Sequence, residues 1–159
     1  MFSNTMYSGT LSEQYETLSK QLDALLHGEP DTIANLSNAS ALLNQFLTDI
    51  NWVGFYLMRD GELVLGPFQG LPACVRIPVS RGVCGTAVAQ KATIVVEDVH
   101  AFPGHIACDA ASNAEIVIPL IKNDEVIGVL DIDSPIKNRF SKEEKVGLEA
   151  FVDVLMKHI

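Results

Sequence analysis

The chain has 159 residues, 20 acidic against 11 basic, a formal charge of −9, and 48% hydrophobic residues. That length suits one domain, 1–159, with its own core, and the acidic surplus argues against nucleic acid as a partner, because phosphate neutralisation needs a basic face. No apolar run is long enough to span a membrane, and the N-terminal residues Met1 to Met6 show neither a basic nor an apolar leader region, so a cytoplasmic protein without a membrane partner is expected.

In chain order, Thr10-Leu11-Ser12-Glu13 reads as a capping box, with Thr10 as N-cap and Glu13 answering it three residues on. Leu11, Tyr15, Leu18, Leu22 and Leu25 then recur at helical spacing, predicting a helix over 10–27 that His27-Gly28 and Pro30 end. Asp31 caps a second predicted helix over 31–50, with Ile33, Leu36, Leu43, Phe46, Leu47 and Ile50 as its stripe. Both stripes read as packing faces. Trp52 to Met58 reads as a strand covered on both sides. Asp60-Gly61 is a two-residue hairpin turn, after which Glu62 to Gly66 pairs back. An irregular connection, Gln69 to Cys74, leads to the short strand Arg76-Ile77-Pro78. A short helix over Val83 to Ala89 and a strand over Thr93 to Val96 follow.

Pro103-Gly104 opens a stretch of small residues around Cys108, with His105 before it and Glu115 after it. Such a segment reads as a loop in which a cysteine is reachable, so Cys108 is the candidate nucleophile. A second hairpin is predicted around Asn123-Asp124, joining Glu115–Ile121 to Val126–Asp133, with Pro119 marking a bulge or an edge. Ser141-Lys142-Glu143-Glu144 reads as another capping box, opening a helix over 141–157 with Leu148, Phe151, Val154 and Leu155 inward. Antiparallel hairpins with helices at both termini make an α+β fold.

Side chains two apart on a strand share a face. Asp131 and Asp133 therefore point one way, and Trp52 and Tyr56 also share a side. Asp131 and Asp133 could instead lie on a solvated face near a strand end, Asp133 more readily than Asp131, which sits between Leu130 and Ile132, and Trp52 and Tyr56 could simply be core residues. The three cysteines, Cys74, Cys84 and Cys108, contain no Cys-x-x-Cys pair, so neither a disulfide framework nor a structural zinc site is favoured. A zinc set of His105, Cys108, Cys74 and Cys84 is the weaker alternative, and Cys84 taken alone reads as a small buried hydrophobe. Gly82-x-x-Gly85 before a helix could cradle phosphate, but no Lys-Ser/Thr pair follows, and Gly85 reads as a close-packing glycine.

The run Gly66 to Cys74, the cysteine at Gly82-Val83-Cys84-Gly85, His105-Ile106-Ala107-Cys108-Asp109, and Val129 to Pro135 together resemble the free methionine-(R)-sulfoxide reductases, which are single GAF-domain enzymes. The resemblance spans nearly the whole chain and includes all three cysteines of that family. It implies a mostly antiparallel six-stranded sheet flanked by helices, usually in a homodimer. It implies Cys108 as catalytic nucleophile, Cys74 as resolving cysteine and Cys84 as an auxiliary third. Trp52, Tyr56, Glu115, Asp131 and Asp133 match positions lining the family's substrate pocket. The implied reaction reduces free methionine sulfoxide, with thioredoxin as electron donor and with no metal or organic cofactor. Carboxylates beside Cys108 would raise its thiol pKa; either His105 or Arg76 offsets this, or the loop brings Cys108 close only once substrate is bound. The rival reading is a non-catalytic GAF module that senses a small ligand.

Overall fold

The computed structural model describes residues 7–105 and 111–159. Cys108, with Ile106, Ala107, Asp109 and Ala110, lies outside the described residues, so the structure does not test its reading as a reachable loop cysteine.

Helix α1 (Leu11–Leu26) begins with the expected reciprocal capping box between Thr10 and Glu13. Helix α2 (Thr32–Phe46) is capped by the Asp31 side chain, which accepts from the Ala34 N–H. It stops four residues short of the expected end. Asp49 adopts a left-handed φ of 56°, which a helix cannot accommodate. The Thr48 and Asp49 carbonyls instead accept hydrogen bonds from Arg139 and Ser134. These bonds turn the chain sharply into the first strand.

Strand β1 (Trp52–Arg59) and strand β2 (Glu62–Gly70) form the first hairpin. Its turn residues Asp60 and Gly61 both have positive φ, 51° and 84°, as a two-residue hairpin with native twist requires. β2 runs four residues further than its apolar alternation indicated, because a bulge opposite Phe55 resets the register and lets Phe68 to Gly70 pair on. Strand β3 (Arg76–Pro78), helix α3 (Gly82–Gln90) and strand β4 (Ile94–Val96) follow. After a short 3-10 turn at Val99–Ala101, strands β5 (Ala114–Lys122) and β6 (Glu125–Ser134) make the second hairpin. Helix α4 (Lys142–Leu155) closes the chain. Its capping box is only half formed. Ser141 accepts from the Glu144 N–H, but the Glu144 carboxylate turns inward to Tyr15 and Arg139.

The six strands lie in the order β3-β2-β1-β6-β5-β4, every pair antiparallel. Pro119 fits this sheet because β4 pairs only with Glu115 to Val117, leaving β5 locally an edge at Pro119. The bulge expected there falls just beyond, between Leu120 and Ile121.

Alternation along the strands divides the sheet into two faces. Val53, Phe55, Leu57, Ile116, Ile118, Leu130 and Ile132 point one way and pack under α1, α2 and α4 as one apolar core. Each fully buried large side chain there contributes about 1.5–3 kcal/mol. Trp52, Tyr56, Val117 and Val129 point the other way, toward α3 and the connections on either side of it. Among the described residues, no helix is long and apolar enough to cross a membrane.

Candidate active site

The second face is built by register. Trp52 on β1 stands opposite Asp133 on β6, which stands opposite Glu115 on β5, so three neighbouring strands place these side chains in one row. One row along, Gly54 opposes Asp131, and Asp131 opposes Val117. Residues two apart share a face, so Tyr56 joins Trp52, and Asp131 joins Asp133. All five side chains line one cavity with Cys84, His105 and Ser112. The space outside atoms there, open mouth included, is about 570 Å³.

Gly54 is needed for this arrangement. A Cβ at that position would lie 2.2 Å from the Cβ of Phe68, so only glycine lets the β2 aromatic close over β1. Phe68 then stacks on Trp52 with ring centroids 5.1 Å apart, and Trp52 stacks on Tyr56 at 5.9 Å. The aromatic row forms an apolar wall whose polar ends are both used. The Trp52 indole N–H donates to the Leu71 carbonyl at 3.1 Å, and the Tyr56 hydroxyl donates to the Cys74 carbonyl at 2.8 Å. The wall thus also fixes the β2–β3 connection that carries Cys74. Sequence reasoning had Trp52 and Tyr56 only as pocket or core residues and missed this anchoring role. It also missed Ser112, a buried cavity residue that accepts from the Asn51 amide at 3.2 Å.

Cys84 comes from the first turn of α3 and is a buried free thiol. The chain enters that turn tightly. A Cβ on Gly85 would lie 2.5 Å from the Pro78 carbonyl oxygen, as expected of a close-packing glycine. Cys84 is buried within the second apolar cluster, as read, and it also borders the acids of the cavity. Its Sγ contacts the Glu115 carboxyl oxygen at 4.0 Å, and ligand atoms of Cys84, Glu115 and Asp131 lie within 4.8 Å of one another.

Burial governs the protonation of this group. Glu115 and Asp131 are each only 6% exposed. Desolvation first, then the charges of Asp131 and Asp133, push the Glu115 carboxyl well above the usual carboxylate range. Asp131 is also raised by burial, while its hydrogen bonds with Glu115 and Cys84 oppose the shift. Burial raises the Cys84 thiol strongly, reinforced by Asp131 and Glu115. The Tyr56 hydroxyl is raised by burial and then by Asp131, so it stays a neutral donor. The solvated reading of Asp131 is therefore excluded. Asp133 is half-buried at the cavity.

The two basic side chains expected to offset these charges behave differently. Arg76 is exposed, pairs with Glu62 at 2.7 Å, and is not among the cavity-lining residues. Its strand neighbour Ile77 lines the cavity, so alternation along β3 turns Arg76 to the other face of the sheet. His105 does line the cavity, but burial and the neighbouring His100 lower its pKa and favour its neutral form. The zinc set of His105, Cys108, Cys74 and Cys84 includes a cysteine that lies outside the described residues. Among the described residues, Cys84 clusters with Glu115 and Asp131.

Residues 23–159 match the family model described as GAF domain. The chain is 58% identical to the free methionine-R-sulfoxide reductase of Escherichia coli over 92% of its length and 88% of that protein. Among solved structures, the free methionine-R-sulfoxide reductase of Neisseria meningitidis in complex with its substrate superposes with a TM-score of 0.94 at 41% identity, covering 99% of this chain and 95% of that one. The substrate complex of the Staphylococcus aureus fRMsr gives a TM-score of 0.88 at 55% identity, with 97% and 99% covered.

Proposed function

We propose a function for a chain that belongs to the GAF domain family and, within it, to the free methionine-R-sulfoxide reductases: it reduces free L-methionine-(R)-sulfoxide to methionine through cysteine chemistry recycled by thioredoxin. The observation that carries the reading is the cross-strand row of Trp52, Asp133 and Glu115, with Asp131 and Tyr56 beside it, facing one cavity. It joins an apolar wall to a cluster of acids that retains protons, which is what a small zwitterion bearing a sulfoxide requires.

In this reading the substrate's S-methyl group rests on Trp52. The raised carboxyls of Glu115 and Asp131 supply a proton to the sulfoxide oxygen, which makes the sulfur electrophilic. The Cys108 sulfur attacks it. Methionine leaves with the bonding pair, and oxygen passes to Cys108 as a sulfenic acid. The Cys74 thiol then attacks that sulfur, releasing water and forming a disulfide. A thioredoxin dithiol reduces the disulfide by exchange and is itself oxidised. Asp133, half-buried at the cavity, pairs with the substrate ammonium. Cys84, held neutral by burial and its acidic neighbours, has an auxiliary part rather than that of nucleophile. The protein acts as a homodimer and needs no metal or organic cofactor.

The direct test is to incubate the reduced protein with free methionine-(R)-sulfoxide, thioredoxin, thioredoxin reductase and NADPH. NADPH loss matched by methionine formation is expected. Saturable binding of small ligands with no NADPH loss would leave a sensor module instead.

A further inference from the structure

The cluster of Cys84, Glu115 and Asp131 has a property that the reductase reading does not use. One thiol and two carboxyls, each at most 6% exposed, converge from three elements: the first turn of α3, the start of β5 and the end of β6. The Asp131 Oδ1 is buried and has no hydrogen-bond partner among the described residues. An unpartnered buried acceptor of this kind costs stability unless something fills its place. The carboxyl lines the cavity, so the missing partner can come from there.

We propose that Cys84, Glu115 and Asp131 form a zinc-binding site in the reduced, substrate-free protein, and that zinc there excludes the substrate. The donor set is one sulfur and two oxygens, the mixture that borderline-soft Zn²⁺ accepts and that hard cations such as Mg²⁺ do not. Around a tetrahedral Zn²⁺, with bonds of about 2.3 Å to sulfur and 2.0–2.2 Å to oxygen, a sulfur and an oxygen ligand stand about 3.6 Å apart. The Cys84 Sγ lies 4.0 Å from the Glu115 oxygen, and the three ligand atoms all fall within 4.8 Å. Side-chain adjustments of a few tenths of an ångström to about one ångström bring them to ligand distance. The fourth position faces the cavity and takes water. Binding releases the thiol proton and any carboxyl proton, and the dication offsets three buried anionic ligands. The site stands on this geometry alone. Only its competition with methionine sulfoxide rests on the function proposed above, because the same carboxyls would then hold the substrate.

The test uses the full-length reduced chain and ZnCl₂ in equilibrium dialysis, with CoCl₂ as a spectroscopic substitute. Wild type and a Cys74→Ser/Cys108→Ser double variant are both expected to bind about one Zn²⁺ per chain. In the double variant Co²⁺ should show tetrahedral d–d bands and a thiolate charge-transfer band, since Cys84 is its one remaining sulfur ligand. Adding Cys84→Ser should remove that band and weaken zinc binding about tenfold or more. Asp131→Asn should weaken binding while keeping the band, and circular dichroism checks that each variant is folded. Free methionine sulfoxide added to the double variant, which cannot turn over, should displace the metal. No stoichiometric zinc, or zinc lost with Cys74 and Cys108 and no thiolate band from Cys84, overturns the site. Retained zinc with full substrate affinity overturns the exclusion but leaves the site standing. If the protein proves not to reduce methionine sulfoxide, the dialysis and cobalt results still decide the site.

Discussion

The two faces of the sheet are made from the same strands and have opposite energetics. On β6, Leu130 and Ile132 point into the helix-covered core, while Asp131 and Asp133 between and beyond them point into the cavity. On β5, Ile116 and Ile118 alternate in the same way with Glu115 and Val117. One face gains free energy from every side chain it buries. The other buries acids at a cost and lines the cavity. A one-residue register slip would exchange the two, so the apolar face holds Glu115 and Asp131 where burial raises their pKa.

The largest expected effect lies outside this contrast and shows whether the cavity face has a nucleophile at all. Cys108→Ser should abolish methionine formation even in a single turnover, with quantitation of methionine as the readout. Full activity would remove Cys108 from the mechanism and leave the acids without a partner.

Cys74→Ser should separate two steps. It is expected to yield about one methionine per subunit in a single turnover, because attack precedes disulfide formation, yet to stall with thioredoxin. Unchanged thioredoxin turnover would make Cys84 the resolving cysteine.

Adjacent residues on β6 test the two faces most directly. Leu130→Ala should destabilise the protein by about 2–5 kcal/mol while the folded fraction keeps its rate. Asp131→Asn should change stability by no more than about 1 kcal/mol and slow the chemical step by about 10²–10⁴-fold. Urea melts and single-turnover rates on both variants measure this. Equal effects on stability and rate in the two would erase the distinction.

A smaller effect appears in the pH dependence of stability. The Glu115 carboxyl is raised in the folded protein, so between its unfolded pKa near 4.5 and its higher folded value the native state holds a proton that the unfolded chain releases. Stability from this group is complete below that unfolded pKa and falls as pH rises, by about 1.4 kcal/mol per pH unit for one retained proton. Glu115→Gln has no such proton. Its stability relative to wild type should therefore rise with pH from about pH 4.5 upward. A difference that is flat with pH would mean that Glu115 is ionised in the fold.

Much of this division was legible in the sequence. The capping boxes, the Asp60-Gly61 and Asn123-Asp124 turns and the helical stripes located nearly every element, because each is a local signal. Motif resemblance picked out Trp52, Tyr56, Glu115, Asp131 and Asp133, and the structure places all five around one cavity. What stayed hidden depends on pairing across strands. The early end of α2 follows from the bonds of Ser134 and Arg139 to Asp49 and Thr48, neither visible from the helical stripe. The anchoring of the Cys74 segment by Tyr56 spans 18 residues. The burial of Cys84 against Glu115 joins positions 31 apart. The exposed pairing of Arg76 with Glu62 follows from the β2–β3 register, which no local pattern encodes.

The central claim is that the acids of the cavity face, Asp133 with the buried Glu115 and Asp131, are built for a free amino acid. Initial rates on free methionine-(R)-sulfoxide, its N-acetyl derivative and a tripeptide carrying the same residue centrally test it most directly. Only the free substrate brings an ammonium to the acids, and an acid left unpaired costs about 1–3 kcal/mol or more. The account predicts rapid reduction of the free amino acid and a loss of about tenfold or more on the other two. Comparable rates on the tripeptide would contradict it.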